Sequence, residues 1–113
     1  RVRLLVGTAD YVEAQAGARV PETLTVEPPA PNPARDQTTL RYALPDAQRV
    51  RVVVYDLLGR QVQTLVDRRQ EAGWHQATWN VQDASQGRLA SGTYLIRWAA
   101  GGEQHVEKVV LVR

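Results

Sequence analysis

Short runs of alternating apolar and polar residues, separated by turn residues, dominate the chain from Thr38 onward. The runs are rich in β-branched and aromatic side chains, which favour strands, and none has a helical period. They cover residues 38–44, 50–55, 61–66, 74–79, 94–98 and 106–112. About seven short strands at regular spacing are typical of an antiparallel sandwich or barrel. We therefore predict an all-β fold, an immunoglobulin-like antiparallel β-sandwich.

Two segments leave alternatives open. Residues 64–71 are compatible with a short helix in place of a strand, but the polar sequence at 68–71 favours a solvent-exposed turn. The last run is apolar on both faces, because one face of an ideal strand carries Val106, Val110 and Val112 and the other carries Val109 and Leu111. Such a strand is either central in its sheet or awaiting a partner.

The composition limits which functions the chain can have. Its 113 residues include no Cys, so neither a disulfide framework nor a thiolate metal site is available. The 14 basic and 12 acidic residues are interleaved, which argues against nucleic-acid binding. No apolar stretch approaches the roughly 20 residues of a membrane-spanning helix. Because Met is absent, we expect one domain from a longer polypeptide.

The N-terminal part of the chain divides into a strand, a tether and a Pro-dense stretch. Residues 1–6 alternate charged and apolar side chains, which predicts a strand, and residues 11–20 lack a sustained apolar face. The Pro residues of segment 28–33 fix φ and remove backbone donors, so no central strand passes through them. We expect residues 1–22 to be the tail strand of an upstream domain plus a linker, and residues 23–113 to be the sandwich.

The segment Asp56-Leu57-Leu58-Gly59 has the composition of a tight hairpin. Asp at the first turn position and Gly at the fourth fit a type I turn that ends in a left-handed residue and a bulge. Arg60 then begins the return strand. We predict that Gly59 adopts a backbone conformation that residues with a side chain resist.

Three later residues have expected structural roles. Trp79 is expected to be a large inward anchor of the sandwich. Gly92 is expected to have a positive φ or to allow a close backbone approach. Tyr94 begins the strand after Gly92, in the position of the tyrosine corner of immunoglobulin-like sandwiches, whose hydroxyl bonds to nearby backbone.

Metal and catalytic sites find little support in the residue pattern. His75 and His105 are the only histidines, and no further ligands stand at metal-ligand spacing. A Ser-His-Asp triad can be drawn on paper with His75, Asp56 and either Ser85 or Ser91, but no nucleophile elbow accompanies it. We therefore predict no metal, no cofactor and no enzymatic activity.

Trp74 lies on the strand face opposite Trp79 and is expected to be partly exposed. An exposed Trp can stack on a sugar ring, which keeps a carbohydrate-binding module as an alternative. Only Tyr55 and Tyr11 are candidates to complete an aromatic platform, and nothing in the spacing brings them together. Core or rim packing is the favoured interpretation of Trp74.

Four blocks of the chain, taken in order, resemble a known family. They are Pro31-Asn32-Pro33, residues 54–62, Gly92-Thr93-Tyr94 and residues 108–113. Over residues 24–113 this series resembles the type A C-terminal sorting domain of the type IX secretion system of Bacteroidota-like bacteria. Segments 73–79 and 87–94 are also similar to the immunoglobulin-like domain of flagellar hook-cap proteins. Ala34 departs from the pattern, since an aromatic residue is common there in the family.

The resemblance implies an address rather than a catalyst. In the family, a Sec signal brings the protein to the periplasm, and the C-terminal domain directs the upstream cargo across the outer membrane. The expected partners are the translocon and a sortase-like cell-surface peptidase, and the expected location is the cell surface or the medium. The residues expected to be recognised are Pro31, Asn32, Pro33, Tyr55, Asp56, Gly59, Arg60, Gly92, Tyr94, Lys108 and Arg113.

The last strand is expected to be read most directly within this set. Lys108 and Arg113 lie at its ends, and its edge is expected to be available for backbone pairing with a partner. The alternative functions are an immunoglobulin-like structural spacer and a carbohydrate-binding module of a secreted surface protein.

Overall fold

The computed structural model describes residues 21–81 and 89–112. Within them, seven strands form two antiparallel sheets, with the orders β1-β2-β5 and β4-β3-β6-β7. The strands are β1 (Thr25–Val26), β2 (Gln37–Leu44), β3 (Gln48–Asp56), β4 (Gln61–Gln70), β5 (Gly73–Asn80), β6 (Gly92–Ala100) and β7 (Glu103–Leu111). The predicted immunoglobulin-like β-sandwich is confirmed, with β4 beside β3, where variable-type domains add a strand.

Several predictions from the sequence fall outside the described residues. The predicted tail strand and tether lie within residues 1–20, which include Tyr11. Ser85 and Arg113 also lie outside the described ranges.

The core lies between the two sheets and is built from alternate residues of facing strands. Along β6 every second side chain from Tyr94 onward is buried, as the two-residue period of a strand requires. Trp79 and Trp98 are the largest core side chains, and each is 0% exposed. Trp79 meets the ring of Tyr94 edge-on with centroids 5.5 Å apart, and Trp98 meets Tyr42 at 6.4 Å. Trp79 is therefore the inward anchor that the sequence predicted.

The strand predicted from Gln61 is confirmed and continues to Gln70 as the ten-residue β4, so residues 64–70 do not form the alternative helix. The solvent-exposed turn predicted at residues 68–71 is likewise strand as far as Gln70. The prediction was wrong because the polar residues here belong to an edge strand, where charged side chains discourage pairing with other chains. Arg69 lies opposite Arg49 of β3. Gln70 is buried and accepts a hydrogen bond from the Tyr42 hydroxyl. This bond fastens the end of β4 to the other sheet.

The pairing of β7 with β6 decides which face of the last run is buried. Val109 and Leu111 point into the core and are 0% and 1% exposed, whereas Val106 is 52% exposed. Tyr94 of β6 lies opposite Val109, so the inward side of β6 fixes which face of β7 is buried. The two-residue β1 was not predicted, because a strand this short has no detectable period.

Candidate recognition site

The hairpin between β3 and β4 has the predicted turn. The Gly59 amide donates to the Asp56 carbonyl at 3.0 Å, and the Asp56 amide donates to the Arg60 carbonyl at 3.0 Å. Gly59 has φ +85°, the left-handed conformation that glycine adopts without strain. Apart from Gly59 and its two chain neighbours, no residue has a heavy atom within 4 Å of the position that a Cβ would take at Gly59, so the requirement for glycine there comes from the backbone alone.

The Asp56 carboxylate stabilises this turn by accepting hydrogen bonds from Leu58 and Arg60. Its Oδ1 accepts hydrogen bonds from the amides of Leu58 and Arg60, both at 2.9 Å, and its Oδ2 accepts one from Arg60 Nε at 2.8 Å. The Arg60 amide, with smaller contributions from the Arg60 guanidinium and the Leu58 amide, lowers the pKa of Asp56 below its ordinary value of 3.8. The turn holds Leu57 and Leu58 in solvent, where they are 65% and 79% exposed.

Asn32 attaches the Pro-rich segment to the last strand. Its amide Nδ2 donates to the Lys108 carbonyl at 3.0 Å, and its Oδ1 accepts from the Val110 amide at 3.0 Å. One side chain thus supplies a donor and an acceptor, as a neighbouring strand would. Two of the four bonds that precede a proline in segment 28–33, Ala30-Pro31 and Asn32-Pro33, are cis.

Ala34 continues this pairing with its backbone. Its amide donates to the Val110 carbonyl and its carbonyl accepts from the Val112 amide, each at 2.8 Å. Together, Asn32 and Ala34 cover the outer edge of β7 from Lys108 to Val112. The prediction that this part of the last strand offers a free edge to a partner was wrong, because the same chain already occupies it.

Tyr94 and Gly92 have the structural features that the sequence predicted. The Tyr94 hydroxyl donates to the Ala90 carbonyl at 2.7 Å, which confirms the predicted tyrosine corner. Its ring lies in the core, 7% exposed, and Gly92 has φ +150°, the positive φ that was predicted. A partner that contacts the surface would meet neither the Tyr94 ring nor its engaged hydroxyl.

The register of the strands brings the four sequence blocks to one end of the sandwich. Asp56 lies opposite Tyr94, and Tyr94 lies opposite Val109. Ala34 bridges Leu111 beside them. We call this end, formed by residues 31–34, 56–60, 92–94 and 108–112, the block end.

The remaining predicted recognition residues are exposed in different ways. Pro31 and Pro33 are exposed beside Asn32. Tyr55 and Lys108 lie on the solvent side of the larger sheet, where each is opposite Leu95 of β6. The structure therefore brings Tyr55 and Lys108 into one row but keeps them apart from the inward-facing Tyr94.

Sequence reasoning missed Leu57, Leu58 and the pairing role of Ala34. Two adjacent leucines inside a turn were a usable signal, since turn positions normally carry polar or small residues. Nothing in the local sequence marks Ala34, because its partners lie on the last strand.

The family model of the secretion system C-terminal sorting domain matches residues 30–112, which include the whole block end. The chain belongs to this family. The sorting domain is therefore a secretion signal of the type IX system, and it serves the export of a polypeptide to the cell surface or the medium.

Two solved structures from Porphyromonas gingivalis share the fold of the sorting domain. Dimeric latent PorU matches with 24% sequence identity and a TM-score of 0.62 over 79% of this chain and 9% of that chain. PorZ, described as an essential bacterial surface component of the type IX secretion system, matches with 24% identity and a TM-score of 0.55 over 78% of this chain and 11% of that chain. The comparison with curated proteins found no match.

Other kinds of site find little support in the described part of the sorting domain. Residues 21–81 and 89–112 contain no group of three or more side chains suited to hold a metal ion. His75 stacks on Tyr42, and its Nε2 lies 2.7 Å from the Glu71 carbonyl oxygen. Over the same ranges, no helix has the length and apolarity needed to cross a membrane.

Trp74 and Tyr55, the described aromatic residues considered for sugar binding, do not form a platform. The Arg41 guanidinium lies over the Trp74 ring, 4.4 Å from its centroid, in cation–π geometry. Trp74 is on β5 of the smaller sheet and Tyr55 is on β3 of the larger one. One face of the Trp74 ring is therefore covered, and its nearest proposed companion among the described residues lies on the other sheet.

Proposed function

We propose that residues 23–113 are a non-catalytic address that carries an upstream cargo protein through the type IX translocon, and that residues 1–22 are the tail strand of that cargo plus a linker. One observation carries the proposal. The described residues of the family match, 30–81 and 89–112, fold as a sandwich in which distant sequence blocks are fixed against one another at the block end. A rigid surface assembled from several segments is suited to recognition by a protein machine.

The block end is one surface of the domain that the export machinery contacts. Leu57 and Leu58 project from it on a hairpin held by Asp56, and Asn32 fixes the Pro-rich segment to β7 at the same end of the sandwich. Well-ordered projecting residues lose little entropy on binding, so they favour association more than residues of a flexible loop do.

The proposed route is through the periplasm and the outer membrane, with a sortase-like peptidase removing the domain at the surface. The fold that the sorting domain shares with parts of PorU and PorZ agrees with a place in this pathway. Cleavage within residues 11–20 would separate the cargo from the folded domain. The cargo is then released or attached to the cell surface.

Translocon dependence tests the proposal. A fluorescent reporter preceded by a Sec signal and followed by residues 1–113 is expressed in a host that has the type IX system, and in the same host without its translocon. We expect reporter outside the outer membrane in the first host and periplasmic reporter in the second. A reporter without the domain is the control and should stay in the periplasm. Export from both hosts, or from neither, would contradict the proposal.

A further inference from the structure

The larger sheet has one face in the core and one in solvent, and the register defines the solvent face. Residues directly opposite one another in antiparallel strands point to the same side. The row through Tyr55 contains Leu95 and Lys108, and the row through Val53 contains Arg97 and Val106. We call this surface, to which all four strands of the larger sheet contribute, the outer face. Its residues are Gln61, Thr64, Asp67 and Arg69 of β4; Arg49, Arg51, Val53 and Tyr55 of β3; Thr93, Leu95, Arg97 and Ala99 of β6; and Gln104, Val106, Lys108 and Val110 of β7.

The outer face concentrates positive charge. Five of its side chains are cationic and a single one is a carboxylate, Asp67, so the excess on this face is larger than the formal net charge of +2 for the whole chain. Asp67 is shared by two arginines, at 2.7 Å from Arg49 Nη2 and 3.8 Å from Arg51 Nε. The cations are Arg49, Arg51, Arg69, Arg97 and Lys108.

The middle of the outer face is apolar. Val53 is on the solvent side but only 2% exposed, because its neighbours cover it. Tyr55 and Leu95 are half-buried beside it, and Val106 at the edge is 52% exposed. The face therefore has an apolar centre with long cationic side chains around it.

The solvent face of the smaller sheet differs in charge. Arg41 is paired with Glu27 at 3.0 Å, and the neighbouring Thr39, Gln76 and Thr78 are neutral. Since the two solvent faces belong to the same small domain, the positive charge of the outer face is a local feature and does not reflect the overall composition.

We propose that the outer face docks an acidic surface on a protein of the export machinery, an inference that rests on the proposed function. An apolar centre with a polar rim is the usual anatomy of a protein–protein interface. A cationic rim accelerates the encounter with an acidic partner. A protein fits this face better than a lipid surface does, because membrane-binding faces project large apolar side chains, whereas Tyr55 and Leu95 are half-buried in the sheet.

Charge-neutralising variants test the outer face in the same reporter fusion of the full chain. Arg51→Gln with Arg97→Gln removes the two positive charges that lie next to Val53 on the outer face. Gln76→Glu with Thr78→Glu changes the net charge by the same amount on the opposite sheet and is the matched control. The ion pair of Arg51 and the hydrogen bond of Arg97 are exposed and contribute little to stability. The thermal unfolding midpoints of all variants should therefore stay close to that of the wild type.

We expect the Arg51→Gln and Arg97→Gln variant to reach the surface about tenfold more slowly, at the low end of the effect of electrostatic steering. The control should be exported at the wild-type rate, and Arg51→Lys with Arg97→Lys should restore most of the rate. Equal export of the Gln variant and the wild type would overturn the proposal while leaving the proposed function intact. Failure of the wild-type fusion to leave the cell would instead count against the proposed function.

Vesicles separate a protein partner from a lipid one. The purified chain is mixed with phosphatidylcholine vesicles that contain phosphatidylglycerol, and co-sedimentation is measured. We expect no binding. Binding that is lost in the Arg51→Gln and Arg97→Gln variant would assign the outer face to an anionic membrane and overturn the proposal.

Discussion

Asp56 uses both carboxylate oxygens within its own hairpin, and this makes the hairpin sensitive to acid. The Arg60 amide in particular holds the pKa of Asp56 below its ordinary value of 3.8. A carboxyl group with a lowered folded-state pKa stabilises the fold fully above its unfolded pKa, and this stabilisation is lost as the pH falls through the folded pKa. Asp56 thus supports the hairpin at neutral pH and ceases to do so in strong acid.

We predict that Asp56→Asn lowers the free energy of unfolding at neutral pH, because the neutral Asn side chain cannot replace the carboxylate that accepts a hydrogen bond from the Arg60 guanidinium. Urea unfolding of both proteins at neutral pH and at about pH 3 measures the effect, since carboxylates with lowered pKa values begin to protonate there. The difference between wild type and variant should shrink at the lower pH. A difference that stays constant with pH would show that ionised Asp56 does not stabilise the hairpin.

Substitutions at Gly59 test the backbone conformation of the turn. Its φ of +85° disfavours side chains, while the space around its Cβ position is open. We predict that Gly59→Val lowers the free energy of unfolding by about 1–3 kcal/mol, the usual cost of a strained backbone. Gly59→Asn is the matched control and should cost less, because Asn tolerates the left-handed conformation. Equal losses for Val and Asn would point to a cause other than backbone strain.

The residues that the sequence predicted best are those with local partners. In the Asp56 turn and in the Tyr94 corner, the hydrogen bond joins residues that are four positions apart, so a short stretch of sequence is enough to predict it. Asn32 was predicted only through a family resemblance. Its two hydrogen-bond partners are 76 and 78 residues away, and no local pattern records such a contact.

Among the elements, β7 is the one whose interpretation changes most. Val109 and Leu111 are core residues, so deleting the last strand would remove part of the core together with any recognition surface. Loss of export after such a deletion cannot distinguish a signal from a folding requirement. Two features of β7 depend on its neighbours. Pairing with β6 decides which face of β7 is buried, and the Pro-rich segment covers its outer edge.

We predict that Asn32→Ala uncovers the outer edge of β7. Loss of the two side-chain bonds at Lys108 and Val110 should lower the free energy of unfolding by about 1–3 kcal/mol, since each intramolecular hydrogen bond contributes about 0.5–1.5 kcal/mol. Hydrogen exchange at the Val110 amide should become faster, since this amide donates to Asn32. Arg35→Ala, an exposed substitution in the same segment, is the control and should leave that amide unchanged. Unaltered exchange in Asn32→Ala would mean that Asn32 does not protect the edge.

At the scale of the whole molecule, we predict that the folded domain begins near Leu24. The Leu24 amide donates to Glu103 Oε1 at 3.0 Å, and the side chain packs against the core. Limited proteolysis followed by mass spectrometry should cut between Gly7 and Glu22 and leave a resistant core. Loss of folding in a variant without residues 1–20 would contradict this boundary.

The fold class could be predicted because alternation with a period of two is repeated in almost every segment, and each run supports the same sheet architecture. The block end could not be predicted in the same way. Its existence depends on register, which places Asp56 beside Tyr94 and Ala34 beside Leu111 only after the sheets have formed. The outer face has the same origin, since Arg51 and Arg97 belong to separate strands.

The claim that the export machinery reads the block end is tested most directly by changing the two ends of the sandwich in parallel. Leu57→Ser with Leu58→Ser alters the block end, and Glu71→Ser with Ala72→Ser alters exposed residues at the opposite end. The measurement is the fraction of reporter found outside the cell. We predict that the first variant stays in the periplasm although it is folded, and that the second is exported like the wild type. Equal export of both variants would contradict the account.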